Sequence, residues 1–143
     1  MKTKIISQIL LSLGLVFVLG SAITQVQGED AINPVVTIHS TGDVTRLKTG
    51  SFVLAMKPAV MFGGTYVNFS VSGTAVPGVD YVPLVSPAYV GPSGYGVILV
   101  QTLPDPRPSS FRQAYSVVVT LEPGGGYTVG DPKSAQMMIK PSP

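Results

Sequence analysis

The sequence predicts an all-β protein, an antiparallel β-sandwich of about seven strands. Short runs rich in β-branched and aromatic residues alternate between apolar and polar side chains, the period of a half-buried strand. The 16 glycines and 13 prolines fall between these runs. No segment after residue 28 keeps a helical period. Strands separated by regular turn signals are typical of a sandwich.

Turn residues bound each of the first four predicted strands. The strand at 35–39 is entered through Asn33-Pro34. The strand at 51–56 has Phe52, Leu54 and Met56 on one face and ends before Pro58. The strand at 65–71 stops at Gly73, and a short strand at 81–85 is stopped by Pro87. Glycine and proline end strands because one adopts backbone angles closed to other residues and the other lacks a donor N–H.

The last three predicted strands lie at 95–102, 113–121 and 134–140. The run at 95–102 is continuously apolar at its centre, which predicts a strand covered on both faces. The other two alternate. Alternation predicts one buried face for each, with these inward residues: Tyr115, Val117, Val119 and Leu121, then Ala135, Met137 and Ile139.

The N-terminus has the pattern of an export signal. Lys2 and Lys4 precede an apolar stretch at 5–20, and a small, polar segment follows. We place cleavage after Gly28, with Ala22 as the competing site, which makes 1–28 a signal peptide and 29–143 one domain. A retained membrane anchor is the alternative, but this stretch is shorter than the ~20 apolar residues that a span requires. We therefore expect a secreted or cell-surface protein with no membrane span after cleavage.

Charge and cysteine content narrow the class of protein. The whole chain has 9 basic and 7 acidic residues, and two of the basic ones are Lys2 and Lys4, so residues 29–143 carry seven of each sign. A neutral domain without a basic cluster is not expected to bind nucleic acid. Cysteine is absent, so stability cannot come from disulfides. About 115 residues can bury roughly two thirds of their surface without them.

Several spaced motifs resemble one known family. They are Gly-Thr-Ala at 73–75, Gly-Val-Asp-Tyr at 78–81, Gly-Tyr-Gly at 94–96, Tyr-Ser-Val at 115–117, and Gly-Asp-Pro at 130–132 followed by Ser134-Ala135. Together they resemble the Calx-beta domain, an immunoglobulin-like β-sandwich of secreted and cell-surface proteins. The resemblance implies that fold over most of residues 35–139.

The resemblance also implies a calcium site, whose carboxylates are mostly missing here. Asp80 and Asp105 keep two of the family's acidic positions, and Asp43 is a loosely aligned third. Other acidic positions carry Pro106, Ser110, Gln113 and Lys140. Calcium needs 6–8 oxygen ligands, several of them anionic. Asp80 and Asp105 are therefore weak metal candidates. We interpret Asp80 as a turn residue that accepts backbone N–H bonds, and we expect no cofactor.

Other chemistry is sparse. His39, the only histidine, is placed at the end of a predicted edge strand. Without cysteine or a second histidine it does not suggest zinc, and no motif supports a Ser-His-Asp triad. The sequence therefore predicts no enzyme. Asn68-Phe-Ser70 is a glycosylation sequon, meaningful only in a eukaryotic secretory pathway.

These observations favour a secreted, non-catalytic structural or adhesive module, a candidate subunit of a surface or matrix assembly. The alternative is a calcium-dependent extracellular binding module with a reduced Calx-beta site. A secreted hydrolase has no specific support. We expect protein partners or self-association through strand edges or a mobile terminal segment, with the first strand detaching to pair with a neighbouring copy in a homo-oligomer. A monomer is the alternative, because Pro34, Pro58, Lys57 and Lys140 are of the kind that block strand edges.

Overall fold

Ten strands and one short 3-10 turn make up the described part of the chain, residues 33–143, in this computed structural model. The strands are β1 (Val35–Ser40), β2 (Val44–Thr45), β3 (Thr49–Lys57), β4 (Thr65–Val67), β5 (Phe69–Ser72), β6 (Ala88–Val90), β7 (Tyr95–Gln101), β8 (Tyr115–Leu121), β9 (Thr128–Val129) and β10 (Ser134–Lys140). The turn spans Ser109–Phe111. The predicted signal peptide and the start of the domain at Glu29 lie outside the described residues.

The strands form two four-stranded sheets and one small sheet. The first sheet has the order β9-β1-β3-β7, the second has the order β2-β10-β8-β5, and β4 pairs with β6. The outer pairs β9–β1 and β2–β10 are parallel, and all other strand pairs are antiparallel. The predicted all-β, sandwich-like class is confirmed, but the sheets are mixed and not purely antiparallel.

One apolar core lies on the inward faces of both large sheets. The predicted inward residues Phe52, Leu54 and Met56 on β3 are buried. They share the core with residues of the other strands, including Val36, Ile38, Val100, Val117, Val119, Leu121, Met137 and Ile139. Fully burying such a side chain contributes about 1.5–3 kcal/mol. The core therefore stabilises a domain that has no cysteine with which to form a disulfide.

The predicted strand at 65–71 is broken at Asn68. Its first half, β4, pairs with β6, whereas its second half, β5, pairs with β8. The Asn68 N–H donates to the hydroxyl of the buried Tyr127 at 3.0 Å and not to a neighbouring strand. The same hydroxyl donates to the Glu122 carbonyl. This tyrosine thus ties the point where the chain changes sheets to the turn after β8.

The predicted strand at 81–85 is wrong. Tyr81 forms only isolated bridges, and the strand of this region is Ala88–Val90. Pro83 and Pro87 explain the shift, because each removes a donor that a continuous ladder would need. The segment from Val82 to Tyr89 instead arches beside β7. It is bonded at one end, where the Val82 N–H donates to the Gln101 carbonyl at 2.9 Å.

The prediction that residues 95–102 are covered on both faces is also wrong for the single chain. β7 alternates strictly, with Ile98 and Val100 in the core. Its outward side chains, Tyr95, Val97 and Leu99, are 56%, 54% and 62% exposed. An apolar run that suits two buried faces therefore leaves one face open to solvent.

The first strand is not an edge strand. β1 lies between β3 and β9 in its sheet, and its Val36 and Ile38 are buried. Detaching β1 would break two ladders and expose both side chains, so it is not a free donor strand. Deleting residues 29–40 would remove this inner strand of the sheet.

The Gly-Thr-Ala motif fixes the bend after β5 against β8. Gly73 has a φ of 114°, and a Cβ built on it would lie 2.4 Å from the Ser116 carbonyl oxygen. The Thr74 hydroxyl accepts the Ser116 N–H at 2.8 Å, and the Ala75 N–H donates to the Ser116 carbonyl at 2.9 Å. The prediction that this glycine adopts a backbone conformation closed to other residues is confirmed.

Gly73→Ala is expected to destabilise the protein more than Gly78→Ala. Both glycines have positive φ, 114° and 85°, so alanine at either position costs about 1–2 kcal/mol. Only Gly73 also lacks room, because nothing lies within 4 Å of a Cβ at Gly78. Urea unfolding of the two variants measures the difference. Equal losses of stability would show that the bend after β5 adjusts to a side chain.

Candidate functional site

Asp80 is the centre of the candidate site and is fully buried. Its Oδ2 accepts the Val76 N–H at 2.7 Å, and its own N–H donates to the Val76 carbonyl at 2.8 Å. Both bonds close the turn that Pro77 and Gly78 form. The interpretation of Asp80 as a turn residue that accepts a backbone N–H therefore matches the structure.

Arg107 holds the same carboxylate through a two-pronged contact. Its Nη1 lies 2.7 Å from Asp80 Oδ1, and its Nη2 lies 3.0 Å from Asp80 Oδ2. The guanidinium also stacks over Tyr115, with its central carbon 4.0 Å from the ring centroid. A paired contact of this kind uses the planar fork that distinguishes arginine from lysine.

Arg46, on the turn after β2, approaches Asp80 from the other side. Its Nη2 donates to Asp80 Oδ1, its Nη1 donates to the Leu103 carbonyl at 3.0 Å, and its side chain is 2% exposed. The backbone N–H of Arg46 donates to the Lys140 carbonyl at 3.0 Å at the end of β10. The two Asp80 oxygens thus accept four bonds, about the capacity of an ionised carboxylate.

Asp105 completes the group, which we call the arginine–carboxylate cluster: Arg46, Asp80, Asp105 and Arg107. Asp105 Oδ1 accepts the Arg107 backbone N–H and its Nη1, both at 3.0 Å. Asp105 Oδ2 lies 3.4 Å from Arg46 Nη2. Two positive and two negative charges therefore balance within one buried group.

The cluster lowers the pKa of both carboxyl groups. Burial alone would raise the pKa of Asp80, but the bonds from Arg107, the Val76 N–H and Arg46 outweigh it and lower that pKa to about 2. Burial likewise opposes ionisation of Asp105, and the Arg107 backbone and side chain lower its pKa nonetheless. The bond to Asp80 raises the pKa of Arg107 further. Both carboxyl groups are therefore ionised at neutral pH.

Two atoms of the cluster lack a hydrogen-bond partner among residues 33–143. They are Arg46 Nε and Asp105 Oδ2, both buried. A pocket of about 190 Å³ opens beside them, lined also by Leu47, Pro104 and Arg112. The cluster therefore has a small solvent-facing opening at one end of the sandwich.

The structure brings the two predicted metal candidates, Asp80 and Asp105, into one cluster. Arginine side chains pair with both carboxylates. Neither oxygen of Asp80 is left without a donor. Asp43, the loosely aligned third candidate, instead accepts the Met138 N–H at 3.0 Å and pairs with Lys140 at 3.2 Å. Among the residues described, no three His, Cys, Asp or Glu side chains are arranged to hold a metal ion. Where calcium would need open carboxylate oxygens, guanidinium groups are present.

Little in the sequence indicates the roles of these two arginines. Arg107 lies two residues from Asp105, so a local ion pair could have been suspected. Arg46 lies 34 residues before Asp80, and no spacing rule joins them. His39 and Asn68, the other residues that the sequence singled out, are exposed and lie outside the cluster.

A second surface of interest is the outward side of the first sheet, which we call the outer apolar face: Val53, Ala55, Tyr95, Val97 and Leu99. Val53 lies opposite Val97 on β7, and Ala55 lies opposite Tyr95. On the far side of β3, their partners are His39 and Thr37 of β1. The face has no lysine, arginine, aspartate or glutamate.

Comparison with models of known protein families finds no match to this chain, and no curated protein matches it either. In the part of the chain described, no helix is long and apolar enough to cross a membrane.

Acid is expected to destabilise the protein through Asp80. Its pKa is about 2 in the folded protein and about 3.8 otherwise, so the bonded carboxylate stabilises the fold fully above about pH 4. That stability, about 2–3 kcal/mol, is lost as the pH falls through about 2. Urea unfolding at several pH values from neutral to strongly acidic measures the loss.

Arg107→Lys should reduce this acid-sensitive stability, because lysine cannot form the two-pronged contact. Arg112→Lys is the matched control, since Arg112 is exposed and its Nε bonds only the Arg107 carbonyl. An acid profile of Arg107→Lys that follows the wild type would contradict the role given to the cluster.

Proposed function

We propose that the protein is a secreted, non-catalytic structural or adhesive module that works through its outer apolar face. The fold proposed for it is an immunoglobulin-like sandwich of the Calx-beta type. The single observation that carries the proposal is the exposed row of Tyr95, Val97 and Leu99 on β7. The predicted signal peptide at 1–28 supports export.

The row differs from an ordinary solvent-facing strand. A half-buried antiparallel strand usually turns polar side chains to water, whereas β7 turns a tyrosine, a valine and a leucine outward. Contiguous apolar surface of this kind marks interaction sites, and depletion of charge with enrichment in tyrosine is typical of an interface core. The run suits a strand covered on both faces, and a partner molecule would supply the second cover.

The arginine–carboxylate cluster supports a structural and not a catalytic role for the acidic residues. An acid or base in catalysis has a pKa near the working pH, whereas that of Asp80 is held at about 2. A general base also needs an oxygen free to approach a substrate, and both oxygens of Asp80 accept bonds within the fold. This arrangement favours the structural proposal over the calcium-dependent alternative.

The Tyr127 hydroxyl supports the immunoglobulin-like part of the proposal. It bonds the Glu122 carbonyl five residues upstream, and a tyrosine that bonds backbone a few residues before it is a hallmark of that fold. The Gly73 bend, fixed on Ser116, gives the Calx-beta resemblance a physical basis at its Gly-Thr-Ala motif.

The proposal predicts a chain beginning at Glu29 in the extracellular matrix or surface fraction of the producing cells. Leu99→Glu places a charge on the outer apolar face and should release the protein into the medium. Gln136→Glu, an exposed position on β10 of the other sheet, is the matched control and should stay bound. Fractionation with intact-mass measurement tests both parts. A cytoplasmic product that retains Met1, or a Leu99→Glu variant that remains bound, would contradict the proposal.

A further inference from the structure

The loop between β3 and β4 presents two large apolar side chains to solvent. Met61 is 71% exposed and Phe62 is 94% exposed. Residues 58–64 contain no charged side chain and only apolar residues and glycine. Exposing a phenylalanine almost completely forgoes the stabilisation that burying it would bring, about 1.5–3 kcal/mol. We call Met61 and Phe62 the apolar tip.

A groove lies next to the outer apolar face, between β7 and the arched segment before β6. Its volume is about 330 Å³, and its walls include Phe69, Leu84, Val85, Tyr89, Val97 and Leu99. It contains no charged side chain. An apolar cavity of about 150 Å³ admits benzene, so this groove has room for a phenyl ring together with a methionine side chain.

We propose that the apolar tip of one copy of this chain binds in the groove of a second copy. This inference rests on the proposed function and names the partner for its surface. The tip and the groove lie side by side, because the Tyr89 hydroxyl in the groove wall donates to the Gly63 carbonyl at 3.2 Å. A two-fold axis between them would place each tip over the other groove, so that both contacts form in one closed dimer.

Charge permits this pairing of identical surfaces. A symmetric interface brings each residue near its own copy, so a charged patch would repel itself. The tip and the groove walls have no charged side chain, and residues 29–143 carry seven charges of each sign. Two copies can therefore approach without like charges meeting at the contact.

The exposed aromatic area is of the size that a dimer needs. Phe62, Tyr66, Tyr89 and Tyr95 are 94%, 63%, 46% and 56% exposed, and the rings of Tyr66 and Tyr89 lie 5.2 Å apart. Since an aromatic side chain buries about 150–250 Å², these four could contribute about 400–650 Å². In a protein–protein interface of standard size, each partner buries about 800 Å² of its accessible surface. Met61, Val85, Val97 and Leu99 can supply the remainder.

Sedimentation equilibrium of the protein produced from the full chain, from micromolar to submillimolar concentration, tests the proposal. The wild type should dimerise, and Phe62→Ser should weaken the dimer at least about tenfold, as removal of a buried aromatic anchor does. Phe111→Ser is the matched control, since Phe111 is 66% exposed on the 3-10 turn, outside both the tip and the groove. It should dimerise like the wild type.

A mixing experiment separates the two halves of the contact. Phe62→Ser keeps an intact groove and Leu99→Glu keeps an intact tip, so a mixture can restore one of the two contacts. The mixture should therefore associate more strongly than either variant alone. If the wild type forms species larger than a dimer, and Phe62→Ser and Leu99→Glu do not form them, that result would equally support binding of the tip in the groove.

A wild type that stays monomeric at every concentration would overturn the inference, as would a Phe62→Ser variant that associates like the wild type. Binding of a monomeric wild type to phosphatidylcholine vesicles through Phe62 would also overturn it, in favour of a lipid surface. Failure of the proposed function is distinguishable. If Phe62→Ser is monomeric but stays in the matrix fraction, the variant has lost the dimer and kept the proposed function. If Leu99→Glu stays bound to the matrix, the proposed function is contradicted.

Discussion

The ionised carboxylate of Asp80 connects three parts of the domain that are distant in sequence. It closes its own turn through Val76, receives Arg46 from the turn after β2, and receives Arg107 from the proline-rich loop after β7. Arg46 in turn bonds the last residue of β10, and the Asp80 carbonyl accepts the Leu103 N–H at 2.9 Å. Removing this charge would leave the buried Arg46 side chain with only the more distant Asp105 carboxylate, at 3.4 Å, as its ionic partner.

This interaction explains how a domain without cysteine fixes its loops. The sheets are stabilised by their shared apolar core, but turns carry few apolar contacts and depend on hydrogen bonds. At one end, the arginine–carboxylate cluster supplies charge-assisted hydrogen bonds. Elsewhere, the Tyr127 hydroxyl and the Ser116 backbone form hydrogen bonds between neutral groups that also hold turns in place.

Local pattern predicted the strands that pack in the usual way. Alternation identified β3, β8 and β10 and their inward side chains, because the period of two follows directly from strand geometry. It failed at Asn68, where the chain changes sheets, because Tyr127 lies 59 residues away and the bond between them has no local signature. It failed again at Pro83 and Pro87, where lost donors outweighed the apolar pattern.

The two surfaces differ in how far the sequence could reveal them. Asp80 and Asp105 were identified by resemblance, but their arginine partners were not, since long-range ion pairs leave no spacing to read. The apolar run within 95–102 predicts a strand covered on both faces, whereas one face of this strand is open in the structure. From the sequence, the cover for the second face could come from the same chain or from a partner. Tyr95, Val97 and Leu99 are exposed in the single chain, so its own described residues do not supply that cover.

The central claim is that guanidinium groups occupy the carboxylate oxygens of Asp80 that a calcium ion would need. Thermal unfolding in EDTA and in millimolar calcium tests it most directly. A site of millimolar Kd would add less than ~1 kcal/mol at millimolar calcium. The account predicts that the two unfolding curves nearly coincide. A rise of many degrees in calcium, lost in Asp80→Asn but kept in Glu122→Gln, would contradict it.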